Sequence, residues 1–234
     1  MQMTKRYLFP PRPAKDPVPY TQIDMFKGYG WVAQTKYNDH RLLISLDANG
    51  VEIFNRHREH PRAYVLPDDL RAEIVAVCHG LLGLSREQWS YLDGGLLHNK
   101  SRWLANTIAI WDILVREGDF LLGTTYSSRY NWLLSKVQKD EPFLVTVGSQ
   151  QFDFGIKLSD HIFLPRLWES YSEAWEFTQR VNAAAGWKGP GDGEPVVEGV
   201  ILKDPQGILS VPTREDNNTT WSTRCRVRTG RHRM

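Results

Sequence analysis

Gln34-Thr35-Lys36-Tyr37-Asn38-Asp39-His40-Arg41 stands directly before an apolar run, Leu42 to Leu46. That run reads as a strand. Asp47-Ala48-Asn49-Gly50 reads as the turn that sends it back through Val51 to Phe54 as a hairpin. Taken alone, a lysine and an arginine five residues apart at a strand entry are a solvated strand end. Two later stretches change their weight. Val196 to Lys203 is a strand carrying Glu198-Gly199 and Lys203; strict alternation puts Glu198 and Lys203 on opposite faces unless a bulge or twist intervenes. Trp221 to Val227 is another strand, and it places Arg224 and Arg226 on one face. Chance supplies any one of these features far more readily than all three in this order.

The rest of the chain reads as one mixed domain. At 234 residues it is one large domain, or one with a small appendage. A hydrophobic content of 41% is enough for a packed core, so a disordered chain is excluded. The net charge of +2 excludes a globally basic nucleic-acid binder, so any basic surface is local. No apolar run approaches the roughly 18 residues of a membrane span, and MQMTKRYLFPPRP lacks the apolar stretch of a signal peptide. Cys78 and Cys225 form no metal-ligand spacing and read as isolated thiols of a reducing cytoplasm.

Residues 1–30 read as an arm packed on the body; its first 22 residues are proline-rich and expected to be extended rather than helical. Pro67-Asp68-Asp69 opens a helix whose Leu70, Ile74, Val77 and Cys78 share a face. Tyr91 to Leu97 and Thr107 to Leu114 are strands, and Ser127 to Lys139 is a helix. Trp168, Tyr171, Trp175 and Thr178 carry helical spacing and read as a core-facing stripe. Gly186 to Pro195 is a flexible loop, and Ile208 to Val211 a short strand. The class is α+β, with more strands than helices.

The ordered set of charged motifs resembles the nucleotidyltransferase domain of ATP-dependent polynucleotide ligases, especially compact phage-type ones. The family's K-x-D-G-x-R stands here as Lys36 to Arg41, and its D-G-E-L as Asp93-Gly94-Gly95-Leu96. Its aromatic-Asp pair stands as Trp111-Asp112, its E-G-x-x-x-K as Glu198 to Lys203, and its K-x-K or K-x-R as Arg224-Cys225-Arg226. The departures are Asn38 for Asp, Asp39 for Gly, Gly95 for a Glu that contacts the nucleotide ribose or its metal, and Arg224 for Lys.

The resemblance implies an ATP-grasp-like ligase adenylation fold over residues 31–228, with antiparallel sheets flanked by helices. About eight residues follow Arg226, so no C-terminal OB domain is expected, and 229–234 form a basic tail. It implies Lys36 as the nucleophile that takes AMP from ATP, with Arg41, Lys203, Arg224 and Arg226 completing the catalytic set. A free lysine has a pKa of about 10.4, so the nucleophile has to lose its proton, and clustered cations and Mg²⁺ would help it do so. Gln34, Thr35, Asp93, Trp111 and Glu198 complete the nucleotide site. Trp111 would stack on adenine, Gln34 would accept from its amine, and Glu198 with Asp93 would hold Mg²⁺. Arg56, Arg228, Arg231 and Arg233 would grip nucleic acid. The implied partner is a nick in duplex DNA, or an RNA or hybrid end; the implied state is a monomer away from membranes.

Overall fold

The protein is described by a computed structural model covering residues 7–61, 64–98, 101–137, 141–210 and 218–227. β1 (Val32–Tyr37) and β2 (His40–Asp47) are separated by Asn38 and Asp39 alone, yet they belong to different sheets. The quoted octapeptide therefore joins the two halves of the domain. β2 returns through Ala48-Asn49 as β3 (Gly50–Phe54), the expected hairpin; Gly50 takes φ 107°, a value that favours glycine.

α1 (Asp68–Val75) starts after Pro67 with Asp68 and Asp69 in its first turn, where carboxylates offset the helix dipole. It runs into a π-turn over Ala76–Leu81, and together they bury Leu70, Ile74, Val77 and Cys78. Each such aliphatic side chain stabilises the fold by roughly 1.5–3 kcal/mol. β4 (Ser90–Leu97), β5 (Thr107–Arg116) and β6 (Asp119–Phe120) follow. α2 spans Tyr126–Ser135, shorter than the sequence suggested, with Thr125 Oγ1 capping the Ser128 amide at 3.2 Å. Lys139, the expected helix end, lies outside the described residues.

β7 (Pro142–Val147), β8 (Gln150–Lys157) and β9 (Ile162–Pro165) complete the large sheet, ordered β3-β2-β4-β5-β9-β8-β7 with β6 beside β5. The expectation of antiparallel sheets needs one correction. β5 and β9 run parallel through Ile108↔Ile162 and Ala109↔Phe163. They are joined by α2 and the β7–β8 hairpin rather than by a tight turn, and a long crossover permits a parallel return.

The small sheet is antiparallel, ordered β10-β1-β11-β12, with β10 at Leu167–Trp168, β11 at Val197–Lys203 and β12 at Ser222–Arg226. α3 (Tyr171–Ala184) covers one face. Ala33, Val200, Leu202 and Cys225 pack there with Tyr171, Ala174 and Ile23. The helical stripe is thus corrected at one end. Trp168 pairs with Ala33 in β10, and the helix begins after Ser170, whose Oγ caps the Glu173 amide at 3.3 Å.

Two further differences concern short segments. Tyr20–Tyr29 is a 3₁₀ helix, although the first 22 residues were expected to be non-helical; the prolines all precede it. Ile208 makes an isolated bridge with Thr125, and no strand spans 208–210; Val211 lies outside the described residues. Both cysteines are free and buried, and no helix among the described residues is long and apolar enough to cross a membrane.

Candidate active site

The uncovered face of the small sheet carries the charge. Cross-strand register sets Lys36 beside Gly199 and Arg226, Gln34 beside Ile201 and Arg224, and Lys203 beside Ser222. Thr35 pairs with Val200 on the alternate phase of the strand, and it also borders the cavity described below. A bulge settles the phase of Glu198. Lys36 pairs with Gly199 and Tyr37 with Val197, which leaves Glu198 as the extra residue. Gly199 has φ 145°, and a Cβ there would overlap the Cys225 carbonyl oxygen and lie 2.9 Å from Arg226 Cα. Glycine is therefore required, and the bulge it permits brings Glu198 to Lys36. Lys36 Nζ donates to Glu198 Oε2, with Arg226 Nε 3.8 Å from the same oxygen.

The large sheet supplies the opposite wall. Arg41 forms a two-pronged ion pair with Asp93, and its guanidinium also lies over the Trp111 ring, 5.3 Å from the centroid. Trp111 sits in a bulge of its own. Asp93 pairs with Asp112 and Gly94 with Ile110, so Trp111 is unpaired, and its Nε1 donates to Asp93 Oδ2 at 3.0 Å. Asp112 accepts from Arg129 Nε and Nη2 at 2.8 and 2.9 Å, deep in the protein.

Lys203 reaches from the small sheet into this second wall. Its Nζ donates to Gln34 Oε1 at 2.7 Å and to the Tyr126 hydroxyl at 3.1 Å. Burial pulls its pKa down to about 7, partly opposed by Asp112 and Asp93. Gln34, expected to meet adenine, uses its carbonyl oxygen on Lys203 and its amide on the Pro165 carbonyl, 3.4 Å away. Asp93, expected at a metal, is engaged by Arg41 and Trp111.

Between the walls lies a cavity of about 530 Å³, bordered by Lys36, Arg41, Trp111, Glu198, Arg224 and Arg226. Phe9 to Pro13 cover one side, where Arg41 Nη2 donates to the Pro11 carbonyl at 3.2 Å. Arg56 lies on the exposed rim. Arg228, Arg231 and Arg233 lie outside the described residues. The arm runs along β12 through Ala14 N to Ser222 O and Val18 N to Arg224 O, at 2.7 and 2.8 Å.

This arrangement suits a polyanion. Arg224 Nε is buried and has no hydrogen-bond acceptor among the described residues. Burial, with Arg226 and Arg12 nearby, pushes its guanidinium below the usual range, as expected where cations crowd and an anionic ligand would relieve them. The donor set also fits Mg²⁺, which takes one or two carboxylates and completes its shell with phosphates and water. Glu198, whose Oε2 meets Lys36, is the carboxylate that would hold it. No cluster of three or more metal-ligating side chains occurs among the described residues, so a wholly protein-made cage is not what is offered.

No protein-family model and no curated protein matches the sequence. Solved structures match the fold. A mycobacterial DNA ligase D in complex with ATP superimposes with a TM-score of 0.52 at 16% identity, over 94% of this chain and 60% of that one. The ligase domain of LigD from M. tuberculosis gives 0.51 at 17%, over 94% and 57%. The chain has the fold of a ligase nucleotidyltransferase domain. It spans about 60% of the length of those two ligases. On this fold the motif residues Lys36, Arg41, Trp111, Glu198, Lys203, Arg224 and Arg226 border one cavity.

Sequence reading missed Arg129 and Tyr126, which hold Asp112 and Lys203. Their helix showed only an amphipathic pattern. The β7–β9 segment was also missed, although Phe143-Leu144-Val145-Thr146-Val147 ahead of Gly148-Ser149 is a hairpin signal.

Proposed function

We propose that the protein is an ATP-dependent polynucleotide ligase in which Lys36 accepts AMP. The observation that carries this reading is the bulged Lys36–Glu198 contact within a cation-lined cavity, on a ligase nucleotidyltransferase fold. Lys36 Nζ gives its proton to Glu198, the acceptor already in contact, and attacks the α-phosphorus of ATP. An N–P bond forms, the bond from the α-phosphorus to the bridging oxygen breaks, and pyrophosphate leaves. Arg224 and Arg226 neutralise charge on the phosphate oxygens as it builds. Glu198 would also hold Mg²⁺, which would supply Lewis-acid stabilisation of those oxygens. Arg41 is fixed by Asp93 at the sugar end, beside Trp111.

In the second half of the reaction the AMP passes from Lys36 to a 5′-phosphate, and a 3′-hydroxyl then displaces it. The substrate proposed is a nick in duplex DNA, gripped by the adenylation domain (31–228), the arm (1–30) and the basic tail (229–234). RNA or hybrid nicks are the alternative. Intact-protein mass after incubation with ATP and Mg²⁺ tests the first step: a gain of one AMP is expected, and none with GTP or in Lys36→Ala. Label that survives in Lys36→Ala overturns the nucleophile. Sealing assays on DNA, RNA and hybrid nicks then decide the substrate.

A further inference from the structure

We infer that Asp39 and Gly95 form an exchanged pair: the carboxylate that binds the nucleotide sugar comes from the β1–β2 turn, and Gly95 is small so that it fits. The inference rests on the ligase reading above. Its starting point is two departures from the motif pattern that offset one another. Position 39 has an acid where a glycine is expected, and position 95 a glycine where an acid is expected.

The geometry couples them. β2 and β4 pair Arg41 with Gly95, so the turn just before β2 folds over position 95. A Cβ on residue 95 would overlap Asp39 Oδ2, lie 2.9 Å from Asp39 Cγ and lie 2.6 Å from Trp111 Cη2. An acidic side chain at 95 and the Asp39 carboxylate claim the same volume. Asp39 has Lys36, Arg41 and Glu198 as its charged neighbours and borders the cavity beside Trp111. Burial and the Glu198 charge push its carboxyl above the usual range, while Lys36 and Arg41 hold it down.

The other carboxylates of the site are engaged: Asp93 by Arg41 and Trp111, Asp112 by Arg129, Glu198 by Lys36. An ionised carboxylate is an acceptor with two oxygens, and a ribose diol offers two hydroxyl donors. Asp39 thus presents to the cavity an acceptor that suits a sugar diol, with Arg41 alongside.

The test measures equilibrium binding of ATP, 2′-deoxyATP and 3′-deoxyATP to the full chain carrying Lys36→Met, which cannot react. Thermal melts of every variant check folding. The parent is expected to prefer ATP over at least one analogue by about tenfold. Asp39→Asn keeps the shape and should lose most of that preference. Asp39→Gly should lose it too, and adding Gly95→Glu to Asp39→Gly should restore it, while Gly95→Glu alone should not bind well.

An unchanged sugar preference in Asp39→Asn overturns the inference. So does a folded double variant no better than Asp39→Gly. If Asp39→Asn changes only the divalent-ion requirement, the carboxylate is a metal group and the sugar role is wrong. If the double variant does not fold, Asp39→Asn decides alone. A wild-type chain that neither binds ATP nor takes AMP fails the ligase reading itself, a result distinct from loss of sugar preference alone.

Discussion

On the large-sheet wall of the cleft Arg41 is matched to Asp93 and Arg129 to Asp112. On the small-sheet wall Lys36, Arg224 and Arg226 share Glu198, while Lys203 reaches across toward Asp112 and Asp93. The first wall is balanced, and its inner pair is dry, with the Arg129 and Asp112 side chains 1% and 4% exposed. The second is unbalanced and opens on the cavity; Lys36 and Glu198 are 16% and 24% exposed. Paired, hydrogen-bonded charges in a protein interior fix geometry, and breaking such a pair leaves a stranded ion. Crowded cations on a half-open face repel one another and favour no fold. Their arrangement makes sense as a standing demand for an anion. One wall is built to stay in place and the other to bind.

The sharpest break between the walls is Lys36→Ala. Its covalent nucleotide signal should fall to background by intact mass, with the melting temperature near that of wild type. Arg129→Ala should do the reverse. Leaving Asp112 buried and unpaired should cost about 3–5 kcal/mol in chemical denaturation, and activity should be lost through unfolding. Glu198→Gln removes the proton acceptor but keeps the hydrogen bond. We expect a drop in the rate of AMP transfer of about a hundredfold, with a stability change under about 1 kcal/mol because the pair is partly exposed. A rate within threefold of wild type would show that Glu198 belongs to the scaffold.

Lys203 tests where the two walls meet. Its native pKa, about 7, lies below the ordinary lysine value, so the unfolded chain holds more protons between pH 7 and about 10. The stability penalty is fully present below pH 7 and is relieved as pH rises through that window. Stability should therefore climb more steeply from pH 7 to 9 in wild type than in Lys203→Met, read as the difference between their urea midpoints. Parallel curves would mean that burial does not lower the pKa of Lys203. The smallest effect is expected from Arg224→Lys, which keeps the charge and loses the planar fork. Nucleotide affinity should weaken a few-fold with no change in fold.

Much of the domain could be read directly. The 42–54 hairpin, the face shared by Leu70, Ile74, Val77 and Cys78, and the strand holding Arg224 and Arg226 follow from periodicity and turn residues, which are local properties. The candidate site was legible as an ordered list of charged residues. The partnerships within it were not, because they depend on register between strands far apart in sequence. Asp93 was read as a metal ligand; its contact with Arg41 comes from a strand pairing 52 residues distant. Gly95 was a departure from the motif pattern, and the contact its small size permits is seen only beside Asp39. The parallel return of β9 was equally invisible, since strand direction is set by the crossover rather than by the strand.

By itself, then, the sequence determined which residues carry charge, where chain reversals fall and which faces are apolar, because these depend on neighbours a few residues away. Only the tertiary structure decided that Glu198 and Lys203 share a face, that Lys203 is buried against Tyr126, and that Asp39 fills the space at Gly95. Each of these depends on a bulge, a burial or an overlap between segments whose separation along the chain leaves no local trace.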